Sequence, residues 1–93
     1  DGVFAANDLS AIGAMKAAYE WNLKIPDDLA LVGFDGIEMT KFMVPSVTTI
    51  EQPLYEMGEL AVKELMRMIE NPDSEIRKYE LEVNLVLNES TLR

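Results

Sequence analysis

Three polar side chains stand where this chain could do chemistry: Asn7 and Asp8 at the end of the apolar run Val3-Phe4-Ala5-Ala6, and Asp35 at the end of Leu29-Ala30-Leu31-Val32-Gly33-Phe34. In open parallel sheets, ligands bind beyond the carboxyl ends of the strands, where loops meet helix N-termini and offer unpaired amides. An amide and a carboxylate fixed on rigid elements suit a neutral polyhydroxylated ligand, whose hydroxyls need both donors and acceptors. The same residues have plainer uses. Asn and Asp cap helices by accepting first-turn amides, and Asp35 before Gly36 suits a turn. From the local sequence both uses stay open.

Other chemistries find little to work with. The chain has no histidine and no cysteine, which removes imidazole bases, thiolate nucleophiles, disulfides and the usual zinc ligand sets. Carboxylates would have to carry any catalysis, and Asp27, Asp28 and Glu38 have no spacing that brings them together. No enzyme, metal or cofactor is expected. Gly33-Phe34-Asp35-Gly36 has too few glycines, wrongly spaced, for a dinucleotide or Walker phosphate loop. With 17 acidic against 8 basic residues the net charge is -9, so a phosphate-rich surface is repelled on average, and this piece does not hold DNA by itself. No uninterrupted apolar stretch reaches membrane-spanning length.

The elements that must position these residues read as α/β. Apolar residues make up 48% and charged residues 27%, ordinary globular usage. The run at residues 3–6 predicts a strand, and residues 9–22 a helix with Leu9, Ile12, Met15 and Tyr19 at helical spacing and Asn22 able to end it. Ile25-Pro26-Asp27-Asp28 marks a turn, and residues 29–34, apolar on both faces, read as a strand inside a parallel sheet, although the pattern alone also fits a buried helix segment. Strand, helix and strand within about 35 residues make a βαβ unit. Residues 36–45 form a loop or irregular helix, where Met39, Phe42 and Met43 either cap the core or meet a partner. Val47-Thr48-Thr49-Ile50 is a third strand by its β-branched residues. Pro53 opens a long helix with Leu54, Met57, Ala61, Leu65 and Met68 in one stripe, ending near Asn71-Pro72. From Tyr79 the period becomes two, predicting a half-exposed strand through Leu87. The abrupt opening, Asp1-Gly2-Val3-Phe4, is expected of a piece excised from a longer protein.

Four blocks in succession carry a family resemblance over the whole chain: Val3 to Asp8 with Ala11-Ile12-Gly13-Ala14; Ile25 to Asp35; Pro45 to Pro53; and Met57-Gly58. In order and spacing they resemble the LacI/GalR family of bacterial transcription regulators. The resemblance implies the C-terminal part of a Rossmann-like, periplasmic-binding-protein-like core, mostly parallel strands with flanking helices, in which an effector lies between two lobes. Residues 1–50 would belong to the C-terminal lobe, residues 50–52 would cross the hinge, residues 53–78 would supply a helix of the N-terminal lobe, and residues 79–93 a returning strand and tail. The DNA-binding headpiece is absent from this sequence.

By that resemblance, effector contacts map onto Asn7, Asp35 and Gln52, with Met57 adding an apolar wall, and Ile12, Met39, Phe42 and Met43 fall on a dimer face. Asn88 departs from the family, which often carries arginine before the terminal Glu-Ser-Thr, and contacts made by that arginine are in doubt here. The implied function is sensing of a sugar or similar metabolite by a homodimeric, cytoplasmic regulator that touches DNA only through its headpiece. Two rivals share the residues: a periplasmic sugar-binding protein of a transport system, and a sugar-modifying enzyme using Asp35 as a base, which the lack of histidine and of a paired acid disfavours.

Overall fold

The computed structural model describes residues 1–92. Its elements run β1 (Gly2–Phe4), α1 (Asp8–Glu20), β2 (Ala30–Asp35), a 3-10 turn at Glu38–Lys41, β3 (Thr48–Glu51), α2 (Leu54–Glu70), β4 (Asn84–Val86) and a closing 3-10 turn at Glu89–Thr91. The chain divides into two units. One holds residues 1–52 and the segment from Val83 onward; the other holds Pro53–Glu82. Arg93, the last residue of the expected tail, lies outside the described residues.

The first unit is a four-stranded sheet in the order β1-β2-β3-β4. β1 and β3 pair in parallel with β2, Val3 opposite Leu31 and Val32 opposite Thr48, while β4 returns antiparallel, Leu85 opposite Ile50. The expected α/β class with mostly parallel strands is what the chain adopts. Ala5, Ala11, Met15, Leu31 and Val47 form its core, with Ile25 and Met43 packed at the margin.

Two local expectations need correction. The face that α1 buries carries Asp8, Ala11, Met15 and Ala18, whereas Leu9 is 67% and Tyr19 79% exposed. Of the larger apolar groups, Met15 is on the buried face and Ile12 is half-buried, but Leu9 and Tyr19 point away from it, because close approach to the sheet favours small side chains: Ala11 lies in the cluster with Leu31 of β2, and Gly33 gives Asp8 room. The last strand is also shorter than its alternation predicts, covering only Asn84–Val86. A strand needs a partner, and β3 offers one only through Thr49, Ile50 and Glu51. Tyr79 instead donates its hydroxyl to Glu64 of α2 at 2.6 Å.

That bond belongs to the second unit, where α2 begins after Pro53 as expected. Arg67 grips Glu64 with Nε and a terminal nitrogen, at 3.1 and 2.8 Å, and donates to the Glu75 carbonyl at 2.8 Å, so the segment after α2 is tied back onto the helix. The Arg67 guanidinium, followed by the Tyr79 hydroxyl, holds the Glu64 carboxyl below its ordinary pKa. The stripe of Leu54, Met57, Leu65 and Met68 forms as expected, yet α2 buries none of its residues. Among the described residues, no helix is long and apolar enough to cross a membrane.

In the first unit, the closing turn is laced to β2 and β3. Buried Ser90 donates to the Leu31 carbonyl at 2.6 Å and accepts the Thr48 amide at 2.8 Å. Asn88, where the family resemblance leads one to expect arginine, donates its side-chain amide to the Val47 carbonyl at 2.9 Å. Glu89 accepts both the Ser46 amide and the Ser46 hydroxyl at 3.0 Å, which lowers its pKa. A carboxylate whose pKa is lower folded than unfolded contributes stability above its ordinary pKa and loses it as pH falls through the depressed value. Urea denaturation of the wild type and of Glu89→Gln should therefore differ at neutral pH and converge in acid. A difference that stays constant with pH would remove this role.

Candidate functional site

Because β1, β2 and β3 run in one direction, their carboxyl ends share an edge of the first unit, and Asn7, Asp35 and Gln52 are gathered there. Asn7 is the N-cap of α1. Its backbone is extended, and its side-chain oxygen accepts the Ser10 amide at 2.8 Å. The side-chain nitrogen meets no protein acceptor among the described residues, and the residue is exposed, so capping leaves a donor unused.

Asp35 and Gln52 meet directly. Gln52 Nε2 donates to Asp35 Oδ1 at 2.7 Å, and the Gln52 backbone amide donates to the Asp35 carbonyl at 3.0 Å. The pairing uses one oxygen of the carboxylate and leaves Asp35 Oδ2 and Gln52 Oε1 as acceptors, on half-buried side chains. Asp35 has φ +132°, a region L-residues rarely occupy, at a cost of about 1–3 kcal/mol, and such strain gathers at functional sites. Gly36 follows at φ +79°, where an added Cβ would come within 2.8 Å of Glu51 Cα, so only glycine fits between the ends of β2 and β3.

Asp8, which from the sequence could cap α1 or face a ligand as Asn7 does, is instead buried. It is 0% exposed; Oδ2 accepts the amides of Gly36 and Ile37, each at 2.8 Å, and Oδ1 accepts the Thr49 hydroxyl at 2.6 Å. The signal that could have revealed this was Gly33: a glycine inside an otherwise apolar strand marks close approach of another group.

Met57 lies on α2 in the second unit and is exposed. Met39 and Phe42 are exposed, Phe42 by 76%, while Ile12 is half-buried and Met43 is partly buried against the core. No three acidic residues among those described converge to hold a metal ion.

Asn7 with an amide donor to spare, and Asp35 and Gln52 with acceptor oxygens to spare, thus stand on the carboxyl edge of one sheet. Comparison with known proteins decides their setting: the family model of the periplasmic binding protein-like domain matches residues 1–91. The chain belongs to the periplasmic binding protein-like domain family. Its resemblance to LacI/GalR regulators holds at the level of individual relatives. It is 46% identical over 91 residues, 98% of its length, to the ribose operon repressor of Halalkalibacterium halodurans. Among solved structures, it is similar to a LacI family transcriptional regulator from Enterococcus faecium with bound ribose, at TM-score 0.88, 37% identity and 97% coverage of this chain. A LacI family regulator from Enterococcus faecalis with bound ribose matches at TM-score 0.91 and 33% identity, again over 97% of this chain. This periplasmic binding protein-like chain spans 28% of the length of that repressor and 34% of each of those structures.

Proposed function

We propose that this chain is part of the sugar-sensing core of a DNA-binding transcription regulator, and that Asn7, Asp35 and Gln52 bind the sugar. The observation that carries the reading is the Asp35–Gln52 pair, whose remaining oxygens accept two hydroxyls, with the Asn7 amide as the complementary donor. Relatives that are repressors of ribose operons support a regulator over a transport receptor and make a pentose such as D-ribose the first ligand to try. The division of the chain after Gln52 supports a hinge at residues 50–52, with 1–50 in one lobe and 53–78 in the other. Met57 rests on the family resemblance alone.

The sugar acts by binding one lobe arrangement more tightly than another, and the shifted equilibrium alters how the headpieces are presented. Exposed Met39 and Phe42, with Ile12 and Met43 beside them in the family's layout, supply the face on which two copies pair. Action on bacterial DNA implies a cytoplasmic location, and the site binds without catalysing a reaction.

Calorimetric titration of the intact regulator with D-ribose tests the reading. Asp35→Asn replaces one acceptor oxygen by a donor and should weaken binding about tenfold or more, about 1.4 kcal/mol. Equal affinity in the two proteins would sink the assignment.

A further inference from the structure

We infer that Asp8 is a positioning residue for effector binding, acting through Asp35 by holding the end of β2 in its strained conformation. The inference rests on the reading of Asp35 and Gln52 as ligand contacts and adds to it a buried residue that never touches the ligand.

The geometry of one peptide group carries the argument. The carbonyl of the Asp35–Gly36 peptide accepts the Gln52 amide at 3.0 Å, and its N–H donates to Asp8 Oδ2 at 2.8 Å. Both ends of the peptide are therefore held, one by β3 and the other by the first turn of α1. Turning the peptide over would break both bonds and aim a carbonyl oxygen at a carboxylate. The next amide, of Ile37, donates to the same oxygen at 2.8 Å, so the chain cannot swing about Gly36 without a second loss. Thr49, three residues before Gln52, donates to Asp8 Oδ1 at 2.6 Å and ties β3 to the same carboxylate.

Asp8 makes these bonds at the expense of an ordinary cap, a task Asn7 performs for α1. Its acceptor capacity is directed to residues 28, 29 and 41 positions away, on both segments that carry the ligand pair. A bond between Asp35 and Gln52 side chains requires their backbones in fixed register, and the Asp8 carboxylate links the ends of both strands. With Asp8 removed, Asp35 relaxes from φ +132° towards ordinary backbone, and its carboxylate leaves both Gln52 and the ligand.

The test is D-ribose titration of the intact regulator carrying Asp8→Ala, Asp8→Asn, Asp35→Asn and the combination of Asp8→Ala with Asp35→Asn, each with its melting temperature. Asp8→Ala should weaken ribose about tenfold and have little further effect on Asp35→Asn, because the two act on one contact. Asp8→Asn should restore most of the affinity: its single oxygen can accept both backbone amides while its nitrogen donates to the Thr49 hydroxyl. If Asp8→Ala does not fold, Thr49→Val, which removes only the third bond, should weaken ribose in the same direction and show the same loss of effect on Asp35→Asn. A lower melting temperature with unchanged affinity, or an effect that persists undiminished on Asp35→Asn, overturns the inference alone. Failure of the wild type to bind ribose, or indifference of its affinity to Asp35→Asn, overturns the ligand reading and this inference with it.

Discussion

Replacing Gly33 by alanine is expected to destabilise the chain by about 3 kcal/mol or more, although the change adds a single methyl group. The new Cβ would overlap Asp8 Oδ1 and stand 3.3 Å from Asp8 Cγ, inside a fully buried contact. Relief requires either that α1 and β2 separate, which opens the core, or that the carboxylate turns away from the Thr49 hydroxyl and the two amides it serves. The first costs about 1–3 kcal/mol as overpacking, and the second a similar amount for each buried group left unpaired. Gly13 provides the contrast. A Cβ there meets nothing within 4 Å, and in a helix interior alanine is favoured over glycine by about 0.5–1 kcal/mol, so Gly13→Ala should stabilise. Urea unfolding of both variants checks the pair; a Gly33→Ala midpoint equal to wild type would show that Asp8 is not held as described.

Leu31→Ala is expected to cost about 2–5 kcal/mol, the range for truncating a fully buried leucine, with the cavity term set by how far the site collapses. Leu31 is 0% exposed on the second strand of the sheet, packed in the cluster of Ala5, Ala11, Met15 and Val47, and its carbonyl receives the Ser90 hydroxyl. Collapse is limited because two neighbours in the cluster are already alanine. Leu9→Ala should change stability by less than about 0.5 kcal/mol, since Leu9 is 67% exposed on α1. Equal losses at positions 9 and 31 would contradict the face that α1 buries.

The Leu9 and Leu31 pair shows how far sequence alone could reach. Apolarity on both faces of residues 29–34 fits an interior strand and a buried helix segment alike, and pairing with strands on both sides makes it the strand. The rotation of α1 was legible only at Met15, because hydrophobic spacing weights side chains by size, whereas the buried face of the helix also carries Asp8, Ala11 and Ala18. The alternation from Tyr79 to Leu87 likewise specifies a two-faced segment, but only pairing with β3 makes three of its residues a strand.

At the candidate site, residue type and position at strand ends sufficed to single out Asn7 and Asp35, and the family resemblance added Gln52. Local sequence determined that a polar amide and a carboxylate would stand at the carboxyl edge of a parallel sheet, because strand periodicity and helix capping are short-range properties. It could not determine that Asp35 would pair with Gln52, 17 positions away, or that Asp8 would turn from its own helix to bind amides 28 and 29 positions along the chain. Those bonds exist only when two strands and a helix have docked. The tertiary structure alone therefore decided which of two adjacent polar residues stays exposed with a donor to spare and which is buried as an anchor.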